Sequence, residues 1–214
     1  MRSVVLLGAP GSGKGTLALK LKDTWGVPHI STGDMFREAV KENSPMGLKA
    51  SEYMKAGQLV PDDITIGIVN ERFSKPDVKT GFILDGFPRT ITQAKSLDEI
   101  LTKNNIKLSS VILLNVDEKL ILRRITGRRT CSKCGTIYNI FNMPPKKQDV
   151  CDKCSSTLSQ RKDDTEEVVR ERLIAYNNQT APLIKFYEDK KILVQIDASS
   201  TPASMLEQVE ALAL

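Results

Sequence analysis

The sequence predicts an α/β fold, a parallel β-sheet flanked by helices and broken by one small β-rich insertion. Three observations predict it. Strand-length apolar runs alternate with helix-length segments, the pattern of a sheet covered on both faces. A glycine-rich turn joins the first apolar run to the first helical segment. From Arg128 to about Arg161 the alternation stops, and cysteines, prolines and lysines take over without a helical period.

The elements follow in order. Residues 2–7 are apolar on both faces, as in a buried parallel strand. A helical stretch runs to about Trp25, and residues 27–31 read as a short second strand. Residues 34–42 read as a helix. Ser44-Pro45 is an N-cap followed by proline at the first helical position, opening a helix to about Ala56. Pro61-Asp62 starts another, ending near Phe73. Residues 81–85 (GFILD) form a buried strand, 92–103 a helix, 111–116 a strand and 117–126 a helix. After the insertion, helical periodicity returns from Glu166 to about Glu188, then a strand at 193–196 and a closing helix at 202–213.

Composition excludes several classes. With 214 residues, 40% hydrophobic and 27% charged, the chain is ordinary for a globular protein. Its apolar runs are far too short to span a bilayer. The N-terminus enters the first strand directly, without the apolar stretch and cleavage site of a signal peptide. A cytoplasmic protein with no membrane partner is expected. The net charge of +5 fits either a solvated basic surface or an anionic partner, and charge alone does not choose.

The strongest motif is Gly8-Ala9-Pro10-Gly11-Ser12-Gly13-Lys14-Gly15-Thr16, set between a strand and a helix as a P-loop requires. It makes the sheet P-loop NTPase-type. Its glycines let backbone N–H groups converge on phosphate oxygens, and the helix N-terminus adds partial positive charge. Lys14 would reach the outer phosphates. Gly15 stands where most P-loops place the Ser or Thr that ligates magnesium, with Thr16 one position later. The metal is then expected to rest mainly on nucleotide oxygens and water. Asp85, at a strand's carboxyl end, is either its outer partner or a helix or turn cap.

The form GxPGxGKGT, Ser31-Thr32-Gly33-Asp34-Met35 and Asp85-Gly86-Phe87-Pro88-Arg89-Thr90 followed by Gln93 together resemble the adenylate kinase family. The resemblance covers essentially the whole chain, through Gly127-Arg128-Arg129 and Arg161-Lys162-Asp163-Asp164, and is closest to the long-lid bacterial form. It implies a core (1–30, 61–126 and 165–214), a helical monophosphate-binding domain (31–60) and a lid (127–164). It also implies reversible phosphoryl transfer from ATP to AMP giving two ADP, and a monomer. By matching position, Gly11, Ser12, Gly13, Lys14, Gly15 and Thr16 would hold the ATP phosphates. Thr32, Arg37, Gln58, Leu59, Val60, Gly86, Phe87, Pro88, Arg89 and Gln93 would hold AMP. Arg37 and Arg89 would pair its phosphate, and Gln93 would read the adenine edge. Arg124 and Arg128 would face ATP, as would the backbone at Ile137 and Tyr138 and a contact at Ser200. Arg161 and Arg172 would converge on AMP and the phosphoryl group in transit.

The residues speak for part of this independently. Arg124 and Arg128 are four apart near a predicted helix end, where like charges repel unless they face an anion or remain solvated. Asp163 and Asp164 either orient arginines or, at Asp164, cap the next helix in a box with Glu167. AMP brings an ionised phosphate oxygen as nucleophile, so no general base is needed. The single histidine, His29, is expected to be structural. In-line positioning and charge stabilisation carry such a reaction, with Mg²⁺, Lys14, Asp85 and the arginines Arg89, Arg128, Arg161 and Arg172 as its agents. Alanine at Arg89 or Arg128 is expected to cut turnover with folding intact. Enclosure must exclude water, the rival acceptor.

All four cysteines lie in the insertion. Cys131-x-x-Cys134 and Cys151-x-x-Cys154, sixteen residues apart, have zinc-ribbon spacing. Four thiolates complete a closed tetrahedral shell, hence a structural Zn²⁺. A redox pair or a nucleic-acid-binding ribbon would use the same spacing. Aromatic residues, only 5% and scattered, speak against base stacking and hence against a nucleic-acid partner. A UMP/CMP kinase is the nearest alternative within the reaction class.

Overall fold

A computed structural model describes residues 2–212. Five strands, β1 (Arg2–Leu7), β2 (His29–Ser31), β3 (Gly81–Asp85), β4 (Ser110–Asn115) and β8 (Leu193–Asp197), form one parallel sheet in the order β2-β3-β1-β4-β8. Side chains alternate across a strand, and the core divides accordingly. Val5, Leu7, Phe82, Leu84, Val111 and Leu113 pack on one face with Phe73, Leu97 and Tyr187. Val4, Leu6, Ile83, Ile112 and Leu114 pack on the other with Leu17, Leu21, Met205 and Val209. Both faces are therefore buried, and the strands read as continuous apolar runs.

The helices are α1 (Lys14–Trp25), α2 (Thr32–Lys41), α3 (Pro45–Lys55), α4 (Asp62–Phe73), α5 (Ile91–Lys103), α6 (Glu118–Thr126), α7 (Glu166–Ala175), α8 (Pro182–Asp189) and α9 (Pro202–Ala211). The expected extension of the last helix to Ala213 lies outside the described residues. Side-chain caps set their starts: Ser31 accepts from Asp34 N, Ser44 from Gly47 N, Thr90 from Gln93 N and Thr201 from Ser204 N. α2 and α3 touch backbone to backbone, since a Cβ on Gly47 would lie 2.1 Å from Ala39 O. No helix among the described residues is long and apolar enough to cross a membrane.

Three sequence expectations are corrected. The helix after the insertion is not continuous: a π turn at Tyr176–Thr180 separates α7 from α8, closed by Ala181 N donating to Tyr176 O at 2.9 Å. Pro182 accounts for it, because a continuous α-helix would need its missing N–H and would press its ring on the carbonyl four residues back. The N-cap of α7 is Thr165, which accepts from Val168 N, rather than Asp164. Finally, α6 ends at Thr126, so Arg124 and Arg128 do not share a helix face; Arg128 opens a strand.

That strand, β5 (Arg128–Cys131), is the centre of a small antiparallel sheet with β6 (Ile137–Asn139) and β7 (Leu158–Ser159). Its buried core is only Cys131, Tyr138, Cys151 and Leu158. So few apolar groups cannot hold a fold without a staple.

Candidate active site

Open α/β sheets collect ligands outside the carboxyl ends of their strands, where neighbouring strands send the chain in opposite directions. Here β1 leads toward β2 while its neighbour β4 leads toward β8. A cavity of about 730 Å³ opens there, within the range of small-molecule sites. Its floor is the loop before α1. Gly13 caps that helix with φ 102°, a conformation glycine adopts without strain, and α1 has neither a side-chain cap nor a first-turn acid. Its N-terminus is thus arranged for an anion. Gly11, Gly13, Gly15 and Thr16 line the cavity, while Ser12 is buried beneath the loop.

Lys14 Nζ donates to Gly8 O at 2.6 Å and Ala9 O at 2.9 Å, folded back over the loop. Burial, with Arg89, Arg172 and Arg128 nearby, lowers its pKa to about 8 from 10.5, although Asp85 opposes the shift. Burial works to raise the carboxyl of Asp85, but the His29 imidazole and Lys14 outweigh it and hold it below its ordinary value. His29 also lines the cavity, 3.6 Å from Asp85.

Opposite the loop, cationic side chains gather from distant parts of the chain. Arg37, Arg89, Arg128, Arg161 and Arg172 all line the cavity. Burial and neighbouring guanidinium groups lower the pKa of Arg161 and of Arg172 to about 10, and burial lowers that of Arg89. Both effects mark positive charge held together at a cost that an anion would relieve. Acids organise the rest. Asp164, 0% exposed, takes a bidentate bond from Arg128, with Nε at 2.8 Å from Oδ2. Arg172 lies 3.1 Å from Asp163 and 3.8 Å from Asp164. Asp163 and Asp164 therefore orient arginines, the first of the two readings the sequence left open. Arg161, from the cysteine-bearing insertion, comes within 3.8 Å of Asp34 on α2.

A smaller adjoining cleft is lined by Thr32, Arg37, Gln58, Leu59, Val60, Gly86, Arg89 and Gln93. Phe87 does not share it. Its side chain turns into the core at 1% exposure, leaving only its backbone near the site. Pro88, Ile137, Tyr138 and Ser200 line the main cavity. Arg124 does too, and it also donates to Ala198 O at 2.7 Å and Ser199 O at 3.0 Å, fixing the loop that carries Ser200.

The four cysteine Sγ atoms lie within 4.8 Å of one another. Contacts of 3.4 Å (Cys131–Cys154 and Cys134–Cys154) and 3.6 Å (Cys134–Cys151) are close to the ~3.8 Å edge of a tetrahedron with ~2.3 Å metal–sulfur bonds. The donor set and its spacing fit zinc. Gly135, after the second cysteine, takes φ 71°, and Ser155 takes φ 59° at the equivalent place in the other knuckle.

Comparison with known proteins now decides the family. The family model described as adenylate kinase matches residues 6–192. An adenylate kinase of Geobacillus sp. (strain WCH70) is 53% identical over 195 residues, 91% of this chain and 90% of the relative. Adenylate kinases of Archaeoglobus fulgidus (49% identical, covering 98% and 97%) and Clostridium novyi (48%, covering 96% and 95%) are similar over nearly their full lengths. The chain belongs to the adenylate kinase family.

Adenylate kinase motifs led to most of the cleft, but two residues that line it and one behind it gave no such signal. Asp62, at the start of α4, holds Gln93 through a 2.7 Å bond; in sequence it reads only as a first-turn acid. Tyr176 and Thr180 line the cavity from the π turn, and Thr180 Oγ1 donates to Arg89 O at 2.9 Å. They sit inside what reads as an ordinary helical period.

Proposed function

We propose that the chain catalyses reversible phosphoryl transfer between ATP and AMP, giving two ADP, with magnesium. The observation that carries this reading is the convergence of Lys14 and five arginines between an open helix N-terminus and a second, smaller cleft. One nucleotide's phosphates would lie on Gly11–Thr16, with Arg124, Arg128, Ser200 and the backbone of Ile137 and Tyr138 toward its other end. AMP would occupy the smaller cleft, its phosphate between Arg37 and Arg89, its base against Gln93. The two phosphate ends then face each other at Lys14, Arg128, Arg161 and Arg172.

AMP's phosphate oxygen needs no base, and the guanidinium groups need only hold the acceptor in line and stabilise charge on the equatorial oxygens. Asp85 Oδ2 lies 3.6 Å from where a Cβ on Gly15 would be, directly over the phosphate loop. With Thr16, it would hold the water shell of a magnesium ion, which would supply neutralising charge to the nucleotide phosphates. We further propose 31–60 and 127–164 as the parts that close over a core of 1–30, 61–126 and 165–214, excluding water. Zinc on Cys131, Cys134, Cys151 and Cys154 would support the second of these.

The decisive experiment incubates the protein with ATP and AMP, CMP, UMP or GMP and follows diphosphate formation. AMP is expected to be the preferred acceptor, and ADP alone should disproportionate. A protein that never disproportionates ADP would overturn the reading.

Lys14 supplies a further prediction. Its folded-state pKa of about 8 lies below its ordinary 10.5, so burial favours the neutral form. Below pH 8 the folded protein carries the cost of a buried charge, and stability rises as pH climbs from about 8 toward 10.5. A phosphate ligand restores the charged form. At pH 8.5–9, ADP binding should take up protons, and affinity should weaken as pH rises through about 8. Calorimetric titration in two buffers of different ionisation enthalpy reads the uptake, which should vanish in Lys14→Met.

A further inference from the structure

Gln93 is 1% exposed, and both ends of its side-chain amide are already engaged. Its Oε1 accepts from Arg89 N at 2.8 Å, and its Nε2 donates to Asp62 Oδ1 at 2.7 Å. The other oxygen of Asp62 accepts from Thr90 Oγ1 at 2.9 Å, and Thr90 Oγ1 in turn accepts from Gln93 N at 3.1 Å. A carboxylate only accepts and a backbone N–H only donates. The amide therefore has one permitted orientation. Reversed, it would set its oxygen against Asp62 and its NH₂ against the Arg89 N–H. Each end keeps one bonding capacity, a single N–H on Nε2 and a single lone pair on Oε1, and Gln93 lines the smaller cleft.

We propose that Asp62 is a specificity-determining positioning residue that locks Gln93 to read a 6-amino purine and refuse a 6-oxo one. The inference rests on the AMP site proposed above. Adenine offers an acceptor at N1 and a donor at its 6-amino group, matching the remaining N–H and lone pair. Hypoxanthine and guanine offer a donor at N1 and an acceptor at O6, the reverse pattern, which only the forbidden orientation could meet. Sites built around buried polar groups reject a mismatched partner strongly, because the mismatch leaves those groups unpaired. The plain alternative is that Asp62 merely favours the N-terminus of α4 as a first-turn acid. That role would change stability and leave base choice untouched.

The test compares kcat/KM for AMP and for IMP at saturating ATP in the full-length protein, with thermal midpoints measured alongside. IMP differs from AMP only at the 6-position and the N1 proton, so the ratio isolates the amide. Asp62→Ala should lower the AMP-to-IMP ratio by about tenfold or more, at unchanged KM for ATP. Asp62→Ser should do the same while retaining a residue suited to a helix start, since a hydroxyl can either donate or accept and leaves only the Arg89 N–H to hold the amide. Asp62→Asn, whose oxygen still accepts from Nε2, should hold the ratio within about threefold. An unchanged ratio in the alanine and serine variants, or an equal loss in the asparagine variant, would overturn the proposal. Wild-type protein that fails to phosphorylate AMP would instead overturn the functional reading beneath it.

Discussion

Arg89→Ala should lower kcat for ADP formation by about 10³-fold or more, with an unchanged thermal midpoint. Arginines aimed at a transferring phosphoryl group contribute on the order of 10³–10⁵ in rate. Arg89 lies where the main cavity and the smaller cleft join, and it lines both. It has no ion pair among the described residues, and its Nε donates only to Gly86 O at 2.8 Å. Its removal therefore breaks no direct ion pair, and the buried carboxylate of Asp85 keeps His29 and Lys14. Arg128, expected from sequence to be an equally clean probe, is a poor one. Its loss would leave Asp164, 0% exposed, without its bidentate partner. Removing one member of a buried pair costs about 3–5 kcal/mol, so Arg128→Ala would damage folding and turnover together. Steady-state kinetics with circular dichroism on both variants checks the contrast. A folded Arg89→Ala enzyme within tenfold of wild-type kcat would remove Arg89 from the phosphoryl site.

Stripping the metal from the cysteine cluster should lower the thermal midpoint by roughly 10 °C or more, with a smaller effect on turnover at low temperature. The apolar core of the small sheet is only Cys131, Tyr138, Cys151 and Leu158. Without a cation, two of these four are thiols with no apolar bulk behind them. The cluster contributes no residue to the phosphate-binding loop, which explains the milder effect on chemistry. Strong chelation followed by scanning calorimetry, with metal content measured on the same sample, reads the result, and Cys151→Ser should reproduce it. One equivalent of zinc in the untreated protein is expected. Protein purified metal-free with an unchanged midpoint would contradict the role.

Local rules made much of this molecule legible from its residues. The bounds of β1 and β3 follow from apolar runs buried on both faces, and the start of α3 follows from Ser44 and Pro45. The phosphate loop and the cysteine pairs are contiguous motifs, so spacing alone located them. What sequence could not decide depended on distant partners. Asp164 and Thr165 are both good N-caps, and the tie is broken by a guanidinium 36 residues away. The predicted end of α6 at Thr126 matches the structure, and with Arg128 beyond it the four-residue spacing to Arg124 carries no helical meaning. Asp62 acquires its meaning only when α4 and α5 pack side by side, bringing it to Gln93 across 31 positions. The π turn needed both Pro182 and knowledge of what Thr180 reaches.

The Arg128–Asp164 pair joins the point where the cysteine-bearing segment leaves the main body to the point where it returns. Gln160 Nε2 braces the same neck, donating to Thr126 O at 3.2 Å and Asp164 O at 3.1 Å. Both ends are thus clasped before the intervening chain is specified at all. Between the clasps the chain touches the main body again at α6, where Asn139 Nδ2 donates to Arg124 O at 2.8 Å, so a change of sequence in the segment should shift its local melting while the parallel sheet below keeps its packing.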